Sequence, residues 1–79
     1  MDKAIIFGCG YIGDGSFYKL KDIFDIIAWT DNNTQLWGKK KAGIDIISPN
    51  EMYDYLKKDA DIIIFIAVVE DRKSTRLNS

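Results

Sequence analysis

The sequence predicts an α/β fold with an open parallel sheet and the element order β-α-β-β-α-β. Short runs of apolar, β-branched residues alternate with helical segments, which is typical of parallel strands joined by right-handed crossovers. These runs are apolar throughout, as expected for strands that are buried on both faces. The first run also leads directly into a cluster of glycines, a pattern found where a strand turns into a helix.

The first half of the chain is predicted to form two strands around one helix. Residues 3–8 (KAIIFG) are a short apolar run closed by glycine, and residues 24–30 (FDIIAWT) are β-branched and aromatic. A helix is predicted from Tyr11 to about Leu20, although Gly15 within it costs about 1 kcal/mol relative to alanine. The residues of this helix expected to face the sheet are Ile12, Phe17 and Leu20.

The second half is predicted to contain a loop, two strands and a helix. A turn at residues 31–33 is followed by a loop or weak helical turn over residues 34–43 and a short strand at 44–47. Ser48 suits a helix N-cap, with Pro49 at the first helical position and Glu51 at the capping-box position. The apolar face of this helix is expected to comprise Met52, Tyr55 and Leu56. Residues 61–69 are predicted to form the fourth strand.

Composition excludes several classes of site. The 79 residues include 11 basic and 12 acidic side chains, so the chain lacks the basic character expected of a nucleic-acid-binding protein. One cysteine and no histidine cannot supply a Cys/His zinc site or a His-dependent nucleophile pair, so we predict no metal and identify no catalytic residues. The longest apolar run, residues 62–69, is too short to span a bilayer, and we expect a cytoplasmic protein.

The last nine residues differ in composition from the rest of the chain. Residues 1–70 contain no arginine and are rich in isoleucine, whereas residues 71–79 (DRKSTRLNS) contain no isoleucine and both arginines. This segment can be back-translated into a string that resembles a sequencing-library adapter read in frame. We therefore assign residues 71–79 to a non-native tail and exclude them from fold reasoning, the alternative being a native polar terminus.

The glycines after the first strand form a complete G-x-G-x-x-G motif, GCGYIG at residues 8–13. In such a motif Gly8 allows a sharp turn, Gly10 lets a pyrophosphate approach the backbone, and Gly13 lets the helix pack close to the strand. The helix N-terminus would then present free N–H groups and a positive dipole end to the phosphates. The alternative is a tight β-α turn that binds no ligand.

Asp31 ends the second strand 18 residues after Gly13, close to the spacing of a carboxylate that binds a ribose hydroxyl pair. A carboxylate there would repel a 2′-phosphate, which favours NAD over NADP; alternatively, Asp31 only forms the turn with its asparagine neighbours. The predicted cofactor-binding residues are Gly8, Cys9, Gly10, Tyr11, Ile12, Gly13, Asp31 and Asn32.

Several other residues have a plain structural interpretation beside a functional one. Cys9 is expected to be a small packing residue, with a reactive thiol at the helix N-terminus as the alternative. Trp29 is expected in the core. Trp37 is interpreted as a packing anchor or a ligand-facing aromatic, and the lysines at 39–41 as a solvated loop or phosphate ligands.

The glycine motif, the segments WTDNN at 29–33 and LWG at 36–38, GIDIISP at 43–49 and the last apolar run together resemble a known module. This module is the Rossmann-like nucleotide-binding domain of bacterial surface-polysaccharide enzymes, such as sugar-nucleotide acetyltransferases and nucleotide-sugar dehydratases. The resemblance covers about residues 3–68. It implies that the glycines face phosphates and that Asp31 faces a ribose or uridine hydroxyl.

The resemblance implies an N-terminal module of a polysaccharide-biosynthesis enzyme that binds NAD or a UDP-sugar, with residues 1–70 as a domain truncated after its fourth strand. Its expected partners are a small-molecule nucleotide and the missing C-terminal part of the enzyme, with no nucleic acid and no membrane. The alternatives are a fragment of an NAD-dependent oxidoreductase or epimerase, an S-adenosylmethionine-binding methyltransferase, and a ligand-free structural module. Whether this chain is itself an enzyme stays open.

Overall fold

A computed structural model of the protein describes residues 1–67. Five strands form one sheet, and two helices connect them: β1 (Lys3–Phe7), α1 (Tyr11–Leu20), β2 (Asp25–Thr30), β3 (Lys40–Lys41), β4 (Ile44–Ile47), α2 (Pro49–Lys58) and β5 (Ile63–Ile66). A short 3₁₀ turn, Thr34–Leu36, lies between β2 and β3. The predicted tail at 71–79 and the predicted end of the last strand at residues 68 and 69 lie outside the described residues.

The sheet has the strand order β3-β4-β2-β1-β5. β1 lies between β2 and β5 and is parallel to both, and β4 is parallel to β2. The carboxyl ends of β1 and β2 therefore lie side by side, with Phe7 opposite Thr30. In open α/β sheets this edge is where ligands bind, so the loops that follow β1 and β2 form the place to examine.

The two faces of the sheet carry two separate apolar clusters, as the two-residue period of a strand requires. Along β1, Ala4 and Ile6 belong to the cluster covered by α1, whereas Ile5 belongs to the cluster covered by α2. Trp29 is fully buried in the first cluster, where its ring packs against Phe17 at a centroid distance of 5.3 Å. Both helices are thus held against the sheet by burial of apolar surface, and the predicted α/β architecture is confirmed.

The predicted start of α2 is confirmed in detail. The Glu51 N–H donates to Ser48 Oγ at 3.2 Å, and Glu51 Oε1 accepts from the Ser48 N–H at 3.2 Å. This reciprocal pair is the capping box, and Pro49 occupies the first helical turn as expected.

Residues 34–43 contain a weak helical turn, as predicted, in the 3₁₀ turn Thr34–Leu36, but they also contain the strand β3, which was not predicted. β3 is antiparallel to β4, so the sheet is not wholly parallel. The two strands are joined through Ala42 and Gly43, which have φ angles of 54° and 76°. Positive φ at both central residues is the conformation of a tight hairpin turn. The strand β3 was not predicted because a polar Lys-Lys pair has no alternating apolar pattern.

Two residues are exposed instead of buried: Ile12, which was expected to face the sheet, and Tyr55, which was expected on the apolar face of α2. Ile12 in α1 is 42% exposed and Tyr55 in α2 is 37% exposed, so neither prediction was correct. Phe17, Leu20, Met52 and Leu56 do pack against the sheet clusters. Each helix has only 10 residues and covers only part of the sheet. Residues at the edge of its apolar face therefore stay exposed, even though helical periodicity assigns them to that face. No helix within residues 1–67 is long and apolar enough to cross a membrane.

Candidate functional site

The loop from β1 to α1 turns sharply at Gly8. Gly8 has a φ of 121°, a conformation that side chains rarely allow. Its N–H donates to the carbonyl oxygen of Thr30 at 2.7 Å, which extends the β1–β2 pairing by one residue before the chain leaves the sheet. The predicted role of Gly8 as the turn off the strand is therefore confirmed.

Gly13 lies where α1 passes closest to β1. A Cβ at this position would collide with the carbonyl oxygen of Gly8 and would come within 3.3 Å of the Trp29 ring. The backbone of Gly8 and the buried ring of Trp29 have no room to move aside. Close helix–strand packing thus depends on glycine here, as the motif predicts.

Gly10 has the opposite surroundings, since a Cβ built on it meets nothing within 4 Å. Gly10 is exposed and is the N-cap of α1, and no side chain of residues 1–67 forms a capping hydrogen bond with this helix. The first N–H groups of a helix have no intrahelical acceptor, and they carry the positive end of its dipole. Tyr11 and Ile12 begin this first turn, so the loop presents backbone donors beside an open surface.

Asp31 ties the end of β2 to the glycine loop. Its Oδ2 accepts from the Cys9 N–H at 2.9 Å, and its Oδ1 accepts from the Asn33 N–H at 2.9 Å. A carboxylate has about four lone-pair sites, so two further acceptor positions are left after these bonds. The structure therefore brings Asp31 to the loop as the spacing predicts, and shows a structural role that the sequence did not indicate.

The segment after Asp31 is held by its own hydrogen bonds. Asn33 Oδ1 accepts from the Gln35 N–H at 3.0 Å, and the Trp37 indole Nε1 donates to the carbonyl oxygen of Asp31 at 2.7 Å. Asn32 is exposed beside them and has no side-chain bond within the described part of the chain. The predicted turn at residues 31–33 is therefore confirmed. Trp37 is hydrogen-bonded to Asp31, the residue that also contacts the glycine loop.

Cys9 is a buried member of the cluster under α1. Its Sγ lies 3.9 Å from the carbonyl oxygen of Thr30. Burial raises the pKa of the thiol from 9.0 to about 11, and the negative charge of Asp31 acts in the same direction. The packing interpretation is therefore confirmed, and the structure contradicts that of a thiol activated by the helix N-terminus.

The sequence predicted a solvated loop for residues 39–41, but Lys41 lies in the strand β3 and its side chain makes defined contacts. Its Nζ forms an ion pair with Asp14 Oδ1 at 2.7 Å and lies 5.5 Å from the centroid of the Trp29 ring. The Trp29 Nε1 donates to the Lys41 carbonyl oxygen at 3.0 Å, so both ends of this lysine are fixed. The pair joins β3 to the first turn of α1, and no local sequence pattern predicts a contact across 27 residues.

The chain matches one family model and is similar in fold to two solved structures. A family model described as "C2185-like, N-terminal" matches residues 1–74. The chain is similar to RSP, a Rex-family repressor, with a TM-score of 0.71 and 20% identity over 89% of this chain and 35% of that one. It is also similar to UDP-D-quinovosamine 4-dehydrogenase from Vibrio fischeri, with a TM-score of 0.67 and 24% identity over 80% of this chain and 55% of the enzyme.

The chain thus spans 35% and 55% of the lengths of these two proteins. A search of curated proteins gave no significant match. At these identities the likeness is one of fold, and it confirms the Rossmann-like α/β architecture.

Proposed function

The chain belongs to the C2185-like, N-terminal family, and we propose that it is a nucleotide-binding module whose GCGYIG loop receives the pyrophosphate of NAD or a nucleotide-sugar. The observation that carries this proposal is the N-terminus of α1, where no side chain of residues 1–67 forms a capping hydrogen bond and a Cβ on Gly10 would meet, apart from its chain neighbours, no atom within 4 Å. Anions bind at helix N-termini because backbone N–H groups and the helix dipole both favour negative charge.

The two helices of this chain support this interpretation by contrast. At α2, Ser48 Oγ accepts from the Glu51 N–H, so a side chain satisfies one of the first-turn donors. At α1, a glycine stands in the N-cap position, and no side chain in the described part of the chain, residues 1–67, caps the helix. N–H donors at a helix N-terminus that lack a protein acceptor must bond to water or to a ligand. A phosphate site requires such donors to be accessible.

Asp31 and Asn32 would bind the sugar next to the phosphates. The carboxylate of Asp31 is fixed by two backbone bonds and keeps acceptor capacity for a pair of ribose hydroxyls. We expect NAD to bind better than NADP, because a 2′-phosphate would meet this negative charge. The name of one structural neighbour specifies a UDP-sugar substrate, which supports the nucleotide-sugar alternative.

The work of these residues is binding rather than bond-making. We propose that the module serves a polysaccharide-biosynthesis enzyme, in keeping with the resemblance of its sequence segments to such domains. The role of the loop would be to hold the nucleotide end of a substrate or cofactor in place while chemistry takes place elsewhere. Correct positioning of this kind can contribute several kcal/mol to catalysis.

A ligand-free structural module is the second candidate, and one observation favours it. Both oxygens of Asp31 already accept backbone hydrogen bonds, so the residue has a sufficient structural reason to be an aspartate. In that case the glycines would serve only the turn at Gly8 and the packing at Gly13.

A binding measurement separates the two candidates. Isothermal titration of the protein with NAD, NADP and UDP-N-acetylglucosamine is expected to detect NAD or the UDP-sugar, with NADP weaker than NAD. Gly10→Ala should weaken binding at least about tenfold, since its methyl group occupies the approach path of the phosphates. Gly15→Ala is the matched control, because a Cβ there also meets nothing within 4 Å but lies further along the helix.

The outcomes are distinct for the two candidates. Loss of binding in Gly10→Ala with retention in Gly15→Ala supports the phosphate cradle. Absence of binding to all three ligands overturns the proposal in favour of the ligand-free module. Equal binding by wild type and Gly10→Ala overturns the glycine loop as the phosphate site.

A further inference from the structure

Trp37 is a large aromatic side chain that is only partly buried and yet firmly positioned. It is 38% exposed, whereas Trp29 is fully buried. Both indoles donate their N–H to a backbone carbonyl oxygen, Trp37 to Asp31 at 2.7 Å and Trp29 to Lys41 at 3.0 Å. Because Nε1 is the only polar atom of an indole, the surface that Trp37 leaves to solvent is mainly apolar carbon.

The backbone around Trp37 is fixed as well. Its N–H donates to the carbonyl oxygen of Thr34 at 3.3 Å, and the N–H of Gly38 donates to that of Ile46 at 2.9 Å. The segment is therefore tied to its own 3₁₀ turn on one side and to β4 on the other. An aromatic group held in this way can bind a flat ligand with little loss of conformational freedom.

The position of Trp37 relative to the glycine loop identifies the kind of ligand group that would reach it. Asp31 contacts the loop through the Cys9 amide and contacts Trp37 through its carbonyl oxygen. In a nucleotide the ribose stands between the phosphate and the base. If the phosphates lie at Gly10 and the ribose at Asp31, the base would lie beyond Asp31 from the loop, where Trp37 is hydrogen-bonded to the Asp31 carbonyl oxygen.

We propose that Trp37 is the stacking platform for the base of the bound nucleotide. This proposal rests on the proposed function and deepens it, because it makes the ligand a base-bearing nucleotide rather than a simple phosphate or sugar phosphate. Stacking of a base on an aromatic side chain depends little on the identity of the base, since every base has a π-face. Trp37 would thus provide affinity, and choice among bases would need other contacts.

Substitutions at Trp37 test the platform. Trp37→Leu should weaken binding of UDP or NAD by about 5- to 100-fold, the range expected for loss of one base–aromatic stack. Trp37→Phe keeps a ring but loses the indole N–H, and should retain most of the affinity. Inorganic pyrophosphate, which has no base, should bind both variants as it binds wild type, a result that a general disruption of the fold would not produce.

Tryptophan fluorescence supplies a second measurement, made first on the wild-type protein. The protein has two tryptophans, and Trp29 is fully buried. Addition of UDP or NAD to the wild-type protein should therefore quench the emission of Trp37, and the Trp37→Phe variant should show no such quenching.

The results also distinguish the stacking role of Trp37 from the proposed nucleotide-binding function. If no nucleotide binds the wild type, the proposed function fails and the stacking platform fails with it. If Gly10→Ala abolishes nucleotide binding while Trp37→Leu binds like wild type, only the platform is overturned. Saturation with nucleotide that leaves Trp37 emission unchanged overturns it as well.

Discussion

The carboxylate of Asp31 holds the amide of Cys9 at an Oδ2–N distance of 2.9 Å, and so joins the end of β2 to the loop that follows β1. The two residues are 22 positions apart, and the parallel pairing of β1 with β2 is what brings them together. Asp31, which the sequence indicates as a ribose ligand or a turn former, therefore also maintains the shape of the loop.

Replacing Asp31 should destabilise the protein even without ligand. Asp31→Ala leaves the partly buried Cys9 N–H without its acceptor, and we expect a loss of about 1–3 kcal/mol in the free energy of unfolding. Asp31→Asn keeps one acceptor oxygen and should lose less. Urea unfolding followed by circular dichroism measures both. Asp45→Asn is the control, since Asp45 makes an exposed ion pair with Lys40 and should change stability by less than about 1 kcal/mol. Equal midpoints for Asp31→Ala and wild type would contradict the structural role.

Alanine should have opposite effects at two glycines of α1. Gly13→Ala forces a methyl group into the Gly8 carbonyl oxygen, and should cost about 1–3 kcal/mol or more through overpacking. Gly15→Ala adds a methyl group in open space, and should stabilise the helix by about 0.5–1 kcal/mol. Thermal unfolding of the two variants beside wild type checks this. The packing argument fails if Gly13→Ala melts at or above the wild-type temperature.

The hairpin between β3 and β4 carries strain that a substitution can relieve. Ala42 has a φ of 54°, and left-handed backbone costs a residue with a Cβ about 1–2 kcal/mol. Ala42→Asn should raise the free energy of unfolding by about 1 kcal/mol, because asparagine followed by glycine suits this turn. Gly43→Ala, at a φ of 76°, should lower it and serves as the reverse control. Chemical denaturation that ranks the two variants the other way would disprove this account of the turn.

The buried thiol of Cys9 should make stability depend on alkaline pH. Its pKa is raised from 9.0 to about 11, so the folded state holds the proton more tightly than the unfolded state. This contribution to stability is fully present below pH 9 and is lost as the pH rises through about 11. Cys9→Ala should remove it, so that the stability difference between wild type and variant changes between pH 9 and 11. In the folded protein, alkylation by iodoacetamide should be slow at pH 7; rapid labelling there would contradict the burial.

Local sequence was sufficient to predict the helices, the parallel strands and the cap of α2. A strand buried on both faces, or a Ser-Pro-x-Glu helix start, depends on residues that are neighbours in the chain. β3 escaped prediction because a two-residue strand has no period of its own and forms only by pairing with β4. The exposure of Ile12 and Tyr55 escaped it for a related reason, since how far a helix face is covered depends on the sheet beneath it.

The glycine loop depends both on local sequence and on tertiary contacts. The sequence by itself determined that Gly8, Gly10 and Gly13 follow a buried strand and open a helix, because turn and helix geometry are local. The motif also predicted close packing at Gly13 and room at Gly10, but only the tertiary structure identified the Gly8 carbonyl and the Trp29 ring as the groups that close the space at Gly13. It alone also decided that Asp31 braces the loop and anchors Trp37, because these contacts exist only once parallel pairing has placed the ends of two strands side by side.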